Sequence, residues 1–173
     1  SNRLLVETDL SGGSAIGLGN YKFDLDGVSE GAKVINLGGS PTLYEIVPDR
    51  NFFIWNTDAG GDWNVDSKWD TISPDFAGAE AILDDQITSD TTITLTANRT
   101  IGKLTIREDA TNKYTVTGNK LIMDSNASQA EIEVTNVVSS SPEIASGIVL
   151  NDDLKFLQNS SGTLTVSGKI KDG

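Results

Sequence analysis

Histidine and cysteine are both missing from this chain of 173 residues. Their absence excludes Ser-His-Asp and Cys-His catalytic groups, zinc held by histidine, disulfides and iron–sulfur clusters. Any metal ion would have to be held by oxygen ligands, which are the ligands that calcium and magnesium prefer. The commonest catalytic, redox and zinc-binding centres are therefore excluded.

Basic side chains are also scarce, with 13 Lys and Arg against 25 Asp and Glu and a formal net charge of -12. Such a charge repels a phosphate backbone, so we predict that nucleic acid is not a partner. No apolar run approaches the ~18 residues that a membrane-spanning helix needs, so we predict no membrane insertion. The opening Ser1-Asn2 resembles a remnant of protease cleavage and predicts a fragment of a longer chain.

The residues that are abundant are Gly, Ser, Thr, Asn and Asp, which together make up 81 of the 173 positions. These residue types favour turns and strands over the interiors of helices. Hydrophobic residues account for only 37% of the chain. The composition therefore predicts a soluble, turn-rich, all-β protein.

Helix signals are nearly absent from the sequence. The best candidate is residues 75–83, which follow Pro74 and are rich in alanine, but Gly78 interrupts them. Residues 79–83 are equally typical of a strand. Strand signals occur throughout, as short β-branched runs that end in Gly, Asn or Asp. In the first fifty residues the predicted strands are 4–6, 21–25, 33–37 and 43–47.

The spacing of the later strands indicates a repeat. Residues 93–95, 121–123 and 148–150 begin 28 and then 27 residues apart, and residues 102–106 and 130–134 are also 28 apart. Residues 114–118 resemble residues 164–168 at a separation of 50. A period in this range is typical of stacked repeats. We predict a right-handed parallel β-helix (β-solenoid) of about four coils, in which Ile93, Leu121 and Ile148 stack. An antiparallel β-sandwich is the alternative.

The three tryptophans, Trp55, Trp63 and Trp69, are confined to residues 52–69. Pro74 and the small-residue strand 78–83 follow them. Further along come a Thr-rich strand, a Gly-x-Leu-x-Ile step, a Tyr-x-Val-x-Gly-Asn-x-Leu step and a Gly-Thr-Leu-Thr-Val-Ser-Gly segment. These segments lie at residues 91–96, 102–106, 114–121 and 162–168. In this order, the pattern over residues 52–173 resembles one unit of the autotransporter-associated β-strand repeat proteins.

The resemblance implies a passenger-type β-solenoid of a large bacterial protein that is secreted or displayed on the cell surface. It implies a stalk, a spacer or an adhesive surface, with adjoining repeats of the parent chain and extracellular or cell-surface polysaccharide as partners. The family has no established catalytic residues, so we predict no enzyme, no catalytic residue and no cofactor. We divide the chain into a β-rich segment, 1–50, which resembles the end of a preceding array, and the Trp-opened unit, 51–173.

Two interpretations of the tryptophans remain open. A Trp cluster at the start of a solenoid covers the end of the hydrophobic column, which would otherwise be exposed. Alternatively, the chain is a carbohydrate-binding module in which the three indole rings form a platform that stacks on sugar rings. The first interpretation requires buried indoles, whereas the second requires exposed ones.

Acidic residues recur every four positions around the tryptophans, at Asp58, Asp62, Asp66 and Asp70. Their oxygens could serve calcium, but the spacing matches neither the EF-hand loop nor the Gly-rich nonapeptide of calcium-binding β-rolls. We therefore predict no metal site and interpret them as solvated corner residues. The same interpretation applies to Asp84-Asp85, Asp152-Asp153, Asp26-Gly27, Asn126 and Asn151. A calcium-dependent lyase or a glycosidase would need a cleft of many coils and long loops, which this sequence does not indicate.

Overall fold

The computed structural model describes residues 51–107, 111–126, 128–135 and 140–173, together with four strands of the first fifty residues. The chain divides into two compact units, Ser1–Arg50 and Asn51–Gly173. In the first unit the strands are β1 (Leu4–Glu7), β2 (Lys22–Leu25), β3 (Val28–Gly38) and β4 (Leu43–Pro48). They form one antiparallel sheet in the order β1-β4-β3-β2. The predicted corner Asp26-Gly27 lies outside the described residues.

The second unit is built from short strands and one 3₁₀ turn, Asp66–Lys68. Its strands are β5 (Phe52–Ile54), β6 (Gly61–Asp62), β7 (Glu80–Leu83), β8 (Thr91–Leu95), β9 (Arg99–Ile101), β10 (Lys103–Arg107), β11 (Tyr114–Gly118), β12 (Lys120–Met123), β13 (Ala130–Thr135), β14 (Glu143–Ile144), β15 (Gly147–Leu150), β16 (Leu154–Asn159), β17 (Thr165–Val166) and β18 (Ile170–Asp172). The predicted helix at residues 75–83 is wrong, since its second half is the strand β7. No helix in the described part of the chain is long and apolar enough to cross a membrane.

These strands form three parallel sheets. Sheet I has the order β5-β7-β10-β13-β16, sheet II the order β6-β8-β11-β14-β17, and sheet III the order β9-β12-β15-β18. Neighbours in each sheet come from successive turns of the chain, which makes the unit a β-solenoid of about five coils. The predicted fold class is confirmed. The sandwich alternative is wrong for this unit, because the strand pairs within its sheets are parallel rather than antiparallel.

The core is a narrow column inside the coils. Strand β13 shows how the sequence builds it: Ala130, Ile132 and Val134 are buried, while Glu131 and Glu133 between them are partly exposed on the outer face. This alternation is the period of a strand with one buried side. Because each coil contributes only a few inward side chains, 37% hydrophobic residues are enough to fill the column.

The predicted register is confirmed at some strands and wrong at one. Lys103 pairs with Glu131, and Leu121 pairs with Ile148, as the 28- and 27-residue spacings predicted. However, Ile93 pairs with Val116 in sheet II and does not stack with Leu121, which belongs to sheet III. Both Ile93 and Leu121 point inward and are fully buried, so hydrophobicity alone could not assign them to different sheets.

The coils also differ in length, which explains why there are five rather than four. Successive rungs of sheet I are 28, 23, 28 and 24 residues apart. The corner from sheet III to sheet I consists of Gly102 alone in one coil, of residues 124–129 in the next, and of residues 151–153 in the one after. Gly102 allows the shortest corner, because a Cβ there would lie 2.7 Å from the Cα of Gly78. Asn126, in the longest corner, has φ 60.

Candidate functional site

The first coil brings the three tryptophans together. Trp55 follows strand β5, Trp63 follows β6, and Trp69 follows the 3₁₀ turn. The ring of Trp69 lies edge-on to both others, with centroids 5.2 Å from Trp55 and 4.7 Å from Trp63. Edge-to-face pairs of this kind contribute about 0.5–1.5 kcal/mol each beyond their burial. The sequence spacings of 8 and 6 residues therefore fold into one cluster.

Hydrogen bonds hold two of these rings in place. The Nε1–H of Trp63 donates to the carbonyl of Pro74 at 3.0 Å, and the Nε1–H of Trp69 donates to the carbonyl of Trp63 at 2.8 Å. The Nε1 of Trp55 is buried and has no hydrogen-bond partner among the described residues. The ammonium of Lys68 lies 5.7 Å from the centre of the Trp55 ring, at a cation–π distance.

All three rings are at most 3% exposed. An indole platform for sugars must present its flat face to solvent, so the prediction of a Trp platform is wrong. The rings are part of the continuous core, and Ile72 and Phe76 pack against that core from the same part of the chain. Phe76 meets Phe53 edge-on at 5.7 Å. The cluster thus has the burial that the covering interpretation requires, in the coil where sheets I and II begin.

The four regularly spaced aspartates do not converge. Asp58 accepts hydrogen bonds from the backbone N–H and the hydroxyl of Thr88, and these bonds lower the pKa of Asp58. Asp62 accepts from the hydroxyl of Thr96 at 2.8 Å. Asp66 accepts from the N–H of Ser73, and Asp70 accepts from the N–H of Ile54. Within the described ranges, no three acidic side chains are grouped so as to hold a metal ion.

A polar network joins the first coil to the second. The guanidinium of Arg99 donates from Nε to the amide oxygen of Asn64 at 2.7 Å, and its Nη1 lies 2.7 Å from the carboxylate of Asp75. The other oxygen of that carboxylate accepts from the backbone N–H of Thr100 at 2.9 Å. This network fixes the loop that carries the tryptophans against strand β9.

The outer face of sheet I carries a row of alternating charge, which we call the charge ladder. Its rungs in register are Glu80, Lys103, Glu131 and Lys155. The Nζ of Lys103 lies 3.6 Å from Glu80 and 3.0 Å from Glu131, on its two sides. It is closest to Glu133, at 2.7 Å. The Nζ of Lys155 lies 3.5 Å from Glu131.

The ladder shifts the titration of its central groups. Partial burial alone would lower the pKa of Lys103, but hydrogen bonds to Glu133 and Glu131 outweigh it and raise that pKa well above its ordinary value. The hydrogen bond from Lys103 lowers the pKa of Glu133, assisted by a bond from Asn159. Sequence reasoning missed the ladder. The alternating signs become visible only once the 23-, 28- and 24-residue steps between rungs are known.

The last coil differs from all the others in its exposure. Phe156 is in register with the buried Ile132, and Ile170 is in register with the buried Ile148. Yet Phe156 and Ile170 are 45% and 44% exposed. Among the described strands, β16, β17 and β18 each have a neighbour on one side only. This end of the column is therefore open.

Comparisons of the chain with protein-family models, with curated proteins and with solved structures found no match.

Proposed function

We propose that this chain is a non-enzymatic structural segment of a large exported bacterial surface protein, in which it serves as a stalk, spacer or display scaffold. The proposal follows the resemblance to the autotransporter-associated β-strand repeats. The observation that carries it is the single hydrophobic column that runs through all the coils. The large inward side chains, from Trp55 in the first coil to Ile148 in the fourth, are used to stack one coil on the next.

Such a column supports a spacer function for a geometric reason. Neighbouring strands of a sheet lie about 4.8 Å apart, so each coil lengthens the segment by about that distance. Coils that pair through three sheets cannot bend independently, because bending would break backbone hydrogen bonds on one side. The formal net charge of -12 adds repulsion between neighbouring molecules, which opposes lateral aggregation.

The location is tested on cells that produce the parent protein. Antibodies raised against the purified chain should label intact cells, and protease added to intact cells should remove that label. Antibodies against a cytoplasmic protein serve as the control for leakage. Labelling that requires permeabilised cells would contradict the proposal of an exported protein.

Adhesion to polysaccharide is a separate part of the proposal. It would have to use the outward polar rungs of the sheets, since the indole rings are buried. We expect tryptophan emission to be blue-shifted and unchanged by any polysaccharide, even one that retains the chain in a co-sedimentation assay. Failure of all surface polysaccharides to retain the chain would remove the adhesive function and leave the spacer function.

A further inference from the structure

The open end of the last coil repeats an interface that the structure already contains four times. At each junction between coils, parallel strands pair and inward side chains meet in the column. The outermost strands β16 to β18 present the same arrangement without a partner among the described strands. Exposed strand edges with apolar side chains are templates for a further strand. The geometry of the earlier junctions therefore specifies a parallel coil as the matching occupant.

The charge ladder adds chemical information about that occupant. Lys103, inside the ladder, has a carboxylate on each side, at 3.6 Å on Glu80 and 3.0 Å on Glu131. Lys155 is the last rung, and its printed ion pair is with Glu131, on the side of the preceding coil. Its side chain is 46% exposed, against 30% for Lys103. Continuing the alternation places an acidic residue opposite Lys155.

The charge of the last coil points the same way. Residues 154–173 contain three basic side chains, Lys155, Lys169 and Lys171, and one acidic side chain, Asp172. The chain as a whole carries a formal net charge of -12, so this end is the exception. An acidic coil is attracted to such an end, whereas a basic one is repelled.

We propose that the open face of the last coil binds one further parallel coil, supplied by the adjoining repeat of the parent chain, which carries an acidic residue opposite Lys155. This inference rests on the proposed structural function and names the partner that the segment selects. The ladder also selects the register. A slip of one residue would turn the outward charges of the incoming strand toward the column.

The test uses the full chain extended by one coil. The N–H of Gly173 donates to the carbonyl of Leu150, just as the N–H of Asn151 donates to the carbonyl of Met123. Gly173 therefore stands where the corner residues 151–153 begin in the preceding coil. Adding Asp-Asp and then a copy of residues 130–150 places the copy of Glu131 opposite Lys155. The matched control has Lys instead of Glu at that position of the extension.

Amide hydrogen exchange of β16 to β18 is the measurement. With the Glu extension we expect exchange in these strands to slow by about tenfold or more relative to the unextended chain. The Lys extension should protect them about two- to fivefold less well, the range for a partly exposed ion pair. In a Lys155→Glu background the order of the two extensions should reverse. Near-ultraviolet circular dichroism confirms that each variant is folded.

Three results would overturn the proposal. The first is that neither extension slows exchange, which would mean that the end does not accept a coil. The second is equal protection by the Glu and Lys extensions in both backgrounds, which would mean that Lys155 selects nothing. The third is protection in the unextended chain that rises with protein concentration, which would identify the occupant as a second copy. The labelling of intact cells is independent of all three, so the proposed function can fail or stand separately.

Discussion

Replacing Lys103 by Met is the most direct test of the charge ladder. The change keeps most of the aliphatic stem but removes the ammonium that lies within 3.6 Å of Glu80, Glu131 and Glu133. The three carboxylates then face one another without a cation. Lys155→Met is the matched control, because that lysine has one ion pair at 3.5 Å and is more exposed.

The magnitude follows from the number and exposure of the ion pairs. A solvent-exposed pair contributes about 0.2–1 kcal/mol, and a buried one broken on one side costs about 3–5 kcal/mol. The Lys103 side chain is 30% exposed and its carboxylate partners are 21–27% exposed, which lies between these cases. We expect Lys103→Met to lower the free energy of unfolding by about 1–3 kcal/mol and Lys155→Met by less than about 0.5 kcal/mol.

The effect should depend on pH in a defined direction. The folded-state pKa of Glu133 lies below its ordinary value of 4.5, so its contribution is present above that pH and is lost as the pH falls through the folded-state pKa. The pKa of Lys103 lies above its ordinary value of 10.5, so its contribution is complete below pH 10.5 and is lost only in strong alkali. The ladder is therefore fully stabilising between about pH 5 and pH 10.

Urea denaturation at pH 7 and at pH 3.5, in low salt and monitored by circular dichroism, measures the difference. The gap between wild type and Lys103→Met should be largest at pH 7 and should narrow at pH 3.5, where the carboxylates begin to protonate. The slope against urea should not change, because the folded state remains equally compact. A gap independent of pH, or one no larger than that of Lys155→Met, would refute the stabilising role of the ladder.

Other predictions concern the corner and the tryptophans. Gly102→Ala should lower the free energy of unfolding by about 1–3 kcal/mol, because the new Cβ would meet the backbone of Gly78 at 2.7 Å. Gly147→Ala is the control, since its Cβ would find only contacts of 3.6 Å, and equal urea midpoints for the two variants would contradict the corner geometry. Trp63→Phe should cost about 1–3 kcal/mol by thermal denaturation, because the buried carbonyl of Pro74 loses its donor. A Trp63→Phe variant as stable as wild type would show that this bond contributes nothing.

Local patterns were sufficient for the fold class. Alternation of inward Ile, Leu and Val with outward Thr, Glu and Lys is a property of single strands, so it can be seen before any pairing is known. Residues 130–134 and 164–168 are examples, and both lie in strands of the predicted kind. The match of residues 114–118 with 164–168 is confirmed across two coils, since Thr115 and Thr165 both pair with Glu143.

The placement of chemistry was less predictable. The sequence placed three tryptophans close together but left open whether their rings face solvent, and this depends on how residues 69–79 return over the first coil. The four aspartates were visible as a pattern, yet each bonds to a different segment. The charge ladder, which does join distant residues, gave no local signal, because its rungs come from four separate coils.

The sequence by itself determined that the chain would form short strands with turns of Gly, Asn and Asp, since those preferences belong to individual residues and their neighbours. Only the tertiary structure decided which strand stacks on which. Inward residues such as Ile93 and Leu121 are interchangeable in hydrophobicity, and the corners between sheets III and I contain one, six or three residues. A constant period therefore could not hold, and the pairing depends on backbone hydrogen bonds and column packing between coils. The same stacking leaves Lys155 and Phe156 exposed at one end, a property that no local pattern contains.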